Sequence, residues 1–391
     1  MYFKDVVGQR AIWRHLMQGV QEERIPHAQL FAGPPGTGKL AMAIVYARYL
    51  VCNGKGKSDM FSTGPADGPC GHCPSCVKMN KLVHPDVHFM MPLFKKKEGS
   101  HDKDNYPQSD DFIYEWREAL LDNPYMDLNE WLTIAGASNQ QGEIFVAQAN
   151  EIIRKLSLRS SEGGYRVVIV WLPEKMNDAC ANKLLKLIEE PPSETVFILV
   201  SNEAERILPT IQSRCQRINF RPIAEADIRD ELVSRFQLEP ATAAQIAHTG
   251  EGSWAKALNT LNTDDATRQY TELFIRLMRC SYARWLKEMR EWSDEVAQLG
   301  RSTQKQFLDY CQRMIRESFM ANFREPCLNY MNTPEKEFTS RFAPFVNEKN
   351  IIGISEVLSD AARDIESNVN AKMVFFDLSL KMIMLLKNGN N

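Results

Sequence analysis

The sequence predicts an α/β protein with a parallel sheet, followed by an all-helical region. A glycine loop, GPPGTGKL (33–40), joins a short apolar strand to a strong helix former. Two unbroken apolar runs, YRVVIVWL (165–172) and TVFILVSN (195–202), have the composition of strands buried on both faces. Helical patterns separate the strands, and after Arg221-Pro222 only helical patterns remain.

The elements follow in order. Residues 1–50 read as helix, strand (HAQLFA, 27–32), glycine loop and helix (LAMAIVYARYLV, 40–51). A cysteine- and glycine-rich module spans 52–76, and residues 91–143 read as a polar, irregular insert. VAQANEIIRKL (146–156) reads as a helix. In NDACANKLLKLIEEPP, Ala181, Leu184, Leu185 and Ile188 repeat at helical spacing, with Asn177 as N-cap and Pro191 as stop. RINF (217–220) is a short last strand. The expected domains are an α/β domain at 1–222, a small helical unit at 223–263 and a long-helix domain at 264–391. In the last, Tyr270, Leu273, Phe274, Leu277 and Met278 form one apolar face; Phe307, Leu308, Cys311, Met314 and Ile315 form another.

At 391 residues the chain has room for two or three domains, and its net charge of −3 confines any nucleic-acid contact to a local basic face. The apolar run MVFFDLSLKMIMLL (373–386) is too short to span a bilayer and carries Asp377 and Lys381. The N-terminus lacks a signal-peptide pattern, so a cytoplasmic protein without a membrane partner is expected. Nine cysteines in a reducing compartment point to metal binding or packing rather than disulfides.

The glycine loop carries the first chemistry. Gly33, Gly36 and Gly38 let backbone N–H groups converge on phosphate oxygens, Thr37 lies among them, and Lys39 reaches toward terminal phosphates. The pattern then fails: Leu40 stands where a hydroxyl would hold Mg²⁺. Trp171 and Leu172 close the next long strand where metal-binding and water-aligning carboxylates are needed, and Glu174 lies beyond that strand's end. Self-contained hydrolysis is therefore not expected. The loop is compatible with ATP or ADP, and equally with a vestigial scaffold.

Cys52, Cys70, Cys73 and Cys76 form a C-x₁₇-C-x₂-C-x₂-C pattern. Four thiolates close a tetrahedral zinc site and leave no position open for catalysis, so a structural zinc is expected. His72 reads as a bystander, with replacement of one thiolate ligand as the alternative. His84 and His88 have metal-like spacing but no evident third partner, so packing or loop bonding is expected; Lys95 to Lys97 read as a solvated loop. In LPTIQSRCQRINF, Arg214 sits between a helix and a strand at the sheet rim, flanked by Ser213 and Cys215. A surface charge and an arginine finger toward a neighbouring subunit both fit that position. Cys215 reads as a small buried residue.

FKDVVGQ, HAQLFAGPPGTGK, the four-cysteine module, LLKLIEEPP and SRC, in this order, resemble the bacterial clamp-loader subunits of the AAA+ class, and among them the delta-prime type of DNA polymerase III. The specific motifs cover about residues 1–260. The resemblance implies a RecA-like α/β domain, a helical lid and a C-terminal helical collar in a five-subunit ring. Such a ring uses ATP to place a sliding clamp on primed DNA. The implied partners are gamma/tau-like motor subunits, a delta-like subunit, the clamp and the DNA. A delta-prime-like member need not hydrolyse ATP, but its Ser-Arg-Cys arginine faces a neighbour's nucleotide; that implies a trans role for Arg214, with Ser213 and Cys215 setting the turn. In GSWAKAL (252–258), Ala255 stands where the family has a phosphate-sensing arginine, with Lys256 beside it. In the second buried strand Ser201 and Asn202 fall at the first sensor position. Two alternatives are an active gamma/tau-like ATPase and a zinc-dependent nucleic-acid-binding adaptor outside any ring.

Overall fold

Strands form where the apolar runs are uninterrupted, and their neighbours bury them on both sides. The computed structural model describes residues 2–54, 68–94, 106–137, 140–261, 265–323, 330–331 and 333–388; Lys95 to Lys97 lie outside them. Two units are resolved, 1–258 and 259–391.

In the first unit, β1 (Ala28–Ala32), β2 (Val87–Met90), β3 (Arg166–Trp171), β4 (Thr195–Ser201) and β5 (Gln216–Asn219) form one parallel sheet in the order β2-β3-β4-β1-β5. Every residue of β1, β3 and β4 is buried. Helices α1 (Arg10–Gln21), α2 (Lys39–Leu50) and α3 (Pro74–Asn80) come before β2 or flank the cysteine module. All twelve residues of α2 are buried, as an all-round apolar helix requires. One sheet face packs Leu30, Val168, Val170, Phe197 and Leu199 on α6 (Val146–Ser157) and α7 (Asp178–Glu189). Asn177 caps α7, accepting the Cys180 N–H at 2.8 Å, and the helix stops at Glu189, before Pro191.

One strand was not anticipated, and one expectation is corrected. VHFM (87–90) is an edge strand, although its His88 and four-residue length gave it no strand pattern. Among its described residues the 91–143 insert is not irregular: it contains α4 (Ile113–Asp122) and α5 (Leu128–Ile134). Trp116 and Trp131, both fully buried, meet edge-on at 4.8 Å, and Trp116 lies 5.1 Å from Trp171 at the end of β3. Phe112, Trp116, Ala119 and Leu120 recur at helical spacing, a signal diluted by the polar residues around them.

After β5, reached through the short α8 (Pro209–Gln212), come α9 (Glu225–Phe236), α10 (Pro240–Thr249) and α11 (Trp254–Leu261). The second unit holds α12 (Asp265–Ala283), α13 (Leu286–Gln298), α14 (Arg301–Ala321), α15 (Thr333–Phe342), α16 (Ile351–Glu366) and α17 (Ala371–Asn388). The two apolar faces expected on α12 and α14 enter one core, which α17 joins with Phe375, Leu378, Met382 and Leu386. Among the described residues, no helix is long and apolar enough to cross a membrane.

Candidate functional site

In this all-parallel sheet β1 lies between β4 and β5, so the loop after it lies at the carboxyl ends of three adjacent strands, where open α/β sheets bind ligands. Gly38, at φ +86°, turns the chain into α2 in a conformation that L side chains avoid. Gln9 ties the N-terminal segment to this turn, its Nε2 donating to the Arg221 carbonyl at 2.7 Å and the Thr37 carbonyl at 3.3 Å. Thr37 donates its hydroxyl to the Pro34 carbonyl at 2.9 Å.

Lys39 is only 4% exposed. Its Nζ donates to the carbonyl of Gly33 at 2.7 Å and to that of Pro34. Burial pushes its pKa down to about 7, partly offset by the negative field of Glu174. Glu174 in turn accepts the backbone N–H groups of Asn202 at 2.9 Å and Glu203 at 3.3 Å. It thus ties the ends of β3 and β4 together, a role its position beyond the strand concealed.

The three residues expected at the hydrolytic positions are buried as well as apolar. Leu40 is 4%, Trp171 4% and Leu172 3% exposed. Trp171 packs on the insert through Trp116.

Two further elements close over the loop. A Cβ on Gly36 would overlap the Ser253 hydroxyl and come within 3.0 Å of the Ala255 Cβ. The Trp254 N–H donates to the Gly36 carbonyl at 3.0 Å. From the insert, Tyr125 lies against Gly38, where a Cβ would be 3.2 Å from its ring. Its hydroxyl accepts the Val7 N–H at 2.9 Å, and its ring centroid is 6.4 Å from that of Trp254. Lys256, next to Ala255, is ion-paired with Glu251. Tyr125 and Trp254 escaped the sequence reading because their contacts with the loop are nonlocal.

Arg214 lies at the corner between α8 and β5, with its side chain 40% exposed. One guanidinium nitrogen is 2.7 Å from Glu189 Oε1, and another donates to the Thr210 carbonyl at 2.8 Å. Ser213 donates its hydroxyl to the same carbonyl at 3.1 Å. Cys215 is half-buried, and burial raises its thiol pKa to about 11, which leaves it unsuited to nucleophilic work.

The four module cysteines converge, their sulfurs all within 4.8 Å of one another. Cys52 lies 3.5 Å from Cys70 and 3.9 Å from Cys73, and Cys70 lies 4.0 Å from Cys76. A tetrahedron of zinc–sulfur bonds about 2.3 Å long has edges of about 3.8 Å, so the donor set fits the ion. The N–H groups of Cys70, Cys73 and Cys76 each donate to a cysteine sulfur at 3.4 Å. His72 stands outside the cluster, its Nδ1 at the Cys70 carbonyl. His84 instead faces Glu162 at 3.1 Å, which also accepts from Ser75 and Lys78 and anchors the module to the chain before β3.

The family model described as DNA polymerase III, delta subunit, matches residues 8–224, more than half of the chain. The DNA polymerase III subunit delta' of Bacillus subtilis is 26% identical over 240 residues, covering 61% of this chain and 55% of the relative. That of Pseudomonas aeruginosa is 30% identical over 238 residues, with coverage of 61% and 55%. The DNA polymerase III subunit tau of Bacillus subtilis is 27% identical over 265 residues, covering 66% of this chain and 37% of the relative. The chain thus spans about a third to a half of the length of these relatives. With the matched region running from the N-terminal segment through the whole sheet, the chain belongs to the DNA polymerase III delta subunit family, a clamp-loader family.

Proposed function

We propose that this chain is a delta-prime-like clamp-loader subunit that does not hydrolyse ATP but lends Arg214 to the nucleotide of an adjacent motor subunit. One contrast carries the reading. The chain's own loop is closed from within by Lys39, Ser253, Trp254 and Tyr125, whereas Arg214 is held at the surface by one exposed carboxylate and one backbone carbonyl. An exposed pair of this kind is worth about 0–1 kcal/mol, so exchanging Glu189 for a neighbour's phosphate costs little. The four cysteines hold a structural zinc that fixes the module beside α2. The helices of 264–391 serve as the collar that joins the ring, and the clamp and primed DNA are reached through the assembly.

The test is the DNA- and clamp-stimulated ATPase of the reconstituted loader with Arg214→Ala. A marked loss with assembly intact supports the trans role; an unchanged rate sinks it.

A further inference from the structure

At the opposite end of the sheet from the glycine loop, a cleft of about 270 Å³ opens at the amino ends of β2 and β3. Four cationic side chains line it: Arg117, Lys155, Arg159 and Arg166. The two carboxylates beside them are already engaged. Asp86 accepts from Ser160 Oγ and from the N–H groups of Ser161 and Glu162, at 3.0, 2.9 and 3.2 Å. Asp110 pairs with Lys155 at 2.6 Å, and Lys155 also pairs with Glu151.

Four cations against Asp86 and Asp110 leave the lining net positive, and among the described residues none of its arginines is ion-paired. Arg166 is buried and donates to the carbonyls of Leu156, Leu158 and Ser193 at 2.6, 2.9 and 2.9 Å. Those bonds fix its guanidinium but leave it, among the described residues, without a carboxylate. Arg117 has neither a hydrogen bond nor an ion pair among the described residues, and its Nε is buried without an acceptor. A buried donor without an acceptor is destabilising, the more so when charged, and calls for an explanation. His88 also faces the cleft; burial first, then the positive charge of Lys155, hold it down to about 4, so its ring is neutral and offers one donor and one acceptor.

We propose that this cleft is a binding site for a phosphate oxyanion, with Arg117 as the planar, two-pronged ligand and Arg159 and Arg166 supplying charge. Guanidinium groups match phosphate geometry, and an oxyanion would give the Arg117 Nε its missing acceptor. The volume accommodates a phosphate or pyrophosphate group. That group can belong to a small phosphorylated molecule or to a nucleic-acid backbone.

The experiment uses the full chain and inorganic pyrophosphate, titrated calorimetrically at constant ionic strength maintained with chloride. Saturable binding is expected, at least fivefold weaker in Arg117→Gln. The variant is expected to fold, since it removes an unpaired charge; a circular-dichroism melt checks this. No binding by the wild type, or equal binding by folded Arg117→Gln, overturns the proposal. So does binding that is lost in Lys39→Met but kept in Arg117→Gln, which places the anion on the glycine loop. Competition by a short single-stranded oligonucleotide separates the sources: displacement of pyrophosphate points to a strand's phosphate, and its absence to a free phosphorylated molecule.

Discussion

Arg214 and Glu189 face each other 2.7 Å apart, each about two-fifths exposed, at a corner between α7, α8 and β5. Glu189 is the last residue of α7, just ahead of the Pro191 that ends the LLKLIEEPP motif. If the pair only parks the arginine, Glu189→Gln should leave loader assembly and ATPase within about threefold of wild type. Arg214→Ala should lower the stimulated rate about 10³-fold. Equal losses in both variants would mean that the pair itself, rather than a trans contact, matters.

Tyr125 supplies the acceptor for the buried Val7 N–H. Tyr125→Phe keeps the ring but removes that acceptor, so it should cost about 1–3 kcal/mol in urea unfolding. A cost near zero would mean that water or a shifted backbone takes over the bond.

Lys39 has a folded pKa of about 7 against an ordinary value of 10.5. Between these values the unfolded chain binds more protons, so stability should rise with pH from about 7 to about 10.5. The full span amounts to a few kcal/mol at most. Lys39→Met should flatten that rise, and the wild-type-minus-variant slope of urea midpoints measures it. Parallel slopes would show that Lys39 stays charged in the fold.

The cysteine cluster predicts one zinc per purified chain by elemental analysis, and cobalt substitution should give the intense visible bands of a tetrahedral thiolate site. Cys76→Ser should lose most of the metal and raise hydrogen exchange around α3. Full zinc content in that variant would point to a different ligand set.

Leu40→Thr alone should not create ATPase activity, because buried Trp171 and Leu172 still occupy the positions of the missing carboxylates. Steady-state phosphate release by the isolated variant decides it. Robust turnover would show that another acid, with Glu174 the nearest to Lys39 in effect, serves the metal.

The sequence by itself determined the parallel α/β class, β1, β3, β4 and β5, the glycine loop with Leu40 after its lysine, and the spacing of the four cysteines. These features are local: an apolar run, a cap or a C-x-x-C spacing constrains its own backbone whatever surrounds it. The edge strand β2 was not legible, because four residues containing a histidine carry too little pattern and pairing with β3 decides the matter. The helices of the insert were obscured for a related reason, since Trp116 and Trp131 gain their energy from each other and from Trp171. Only tertiary structure brought Tyr125 to Val7, Ser253 to Gly36, Glu189 to Arg214, and Arg117 to Arg166 across one cleft. Each of those partners is distant in the chain, and what joins them is burial of apolar surface and the need to pair buried polar groups, which no local spacing encodes.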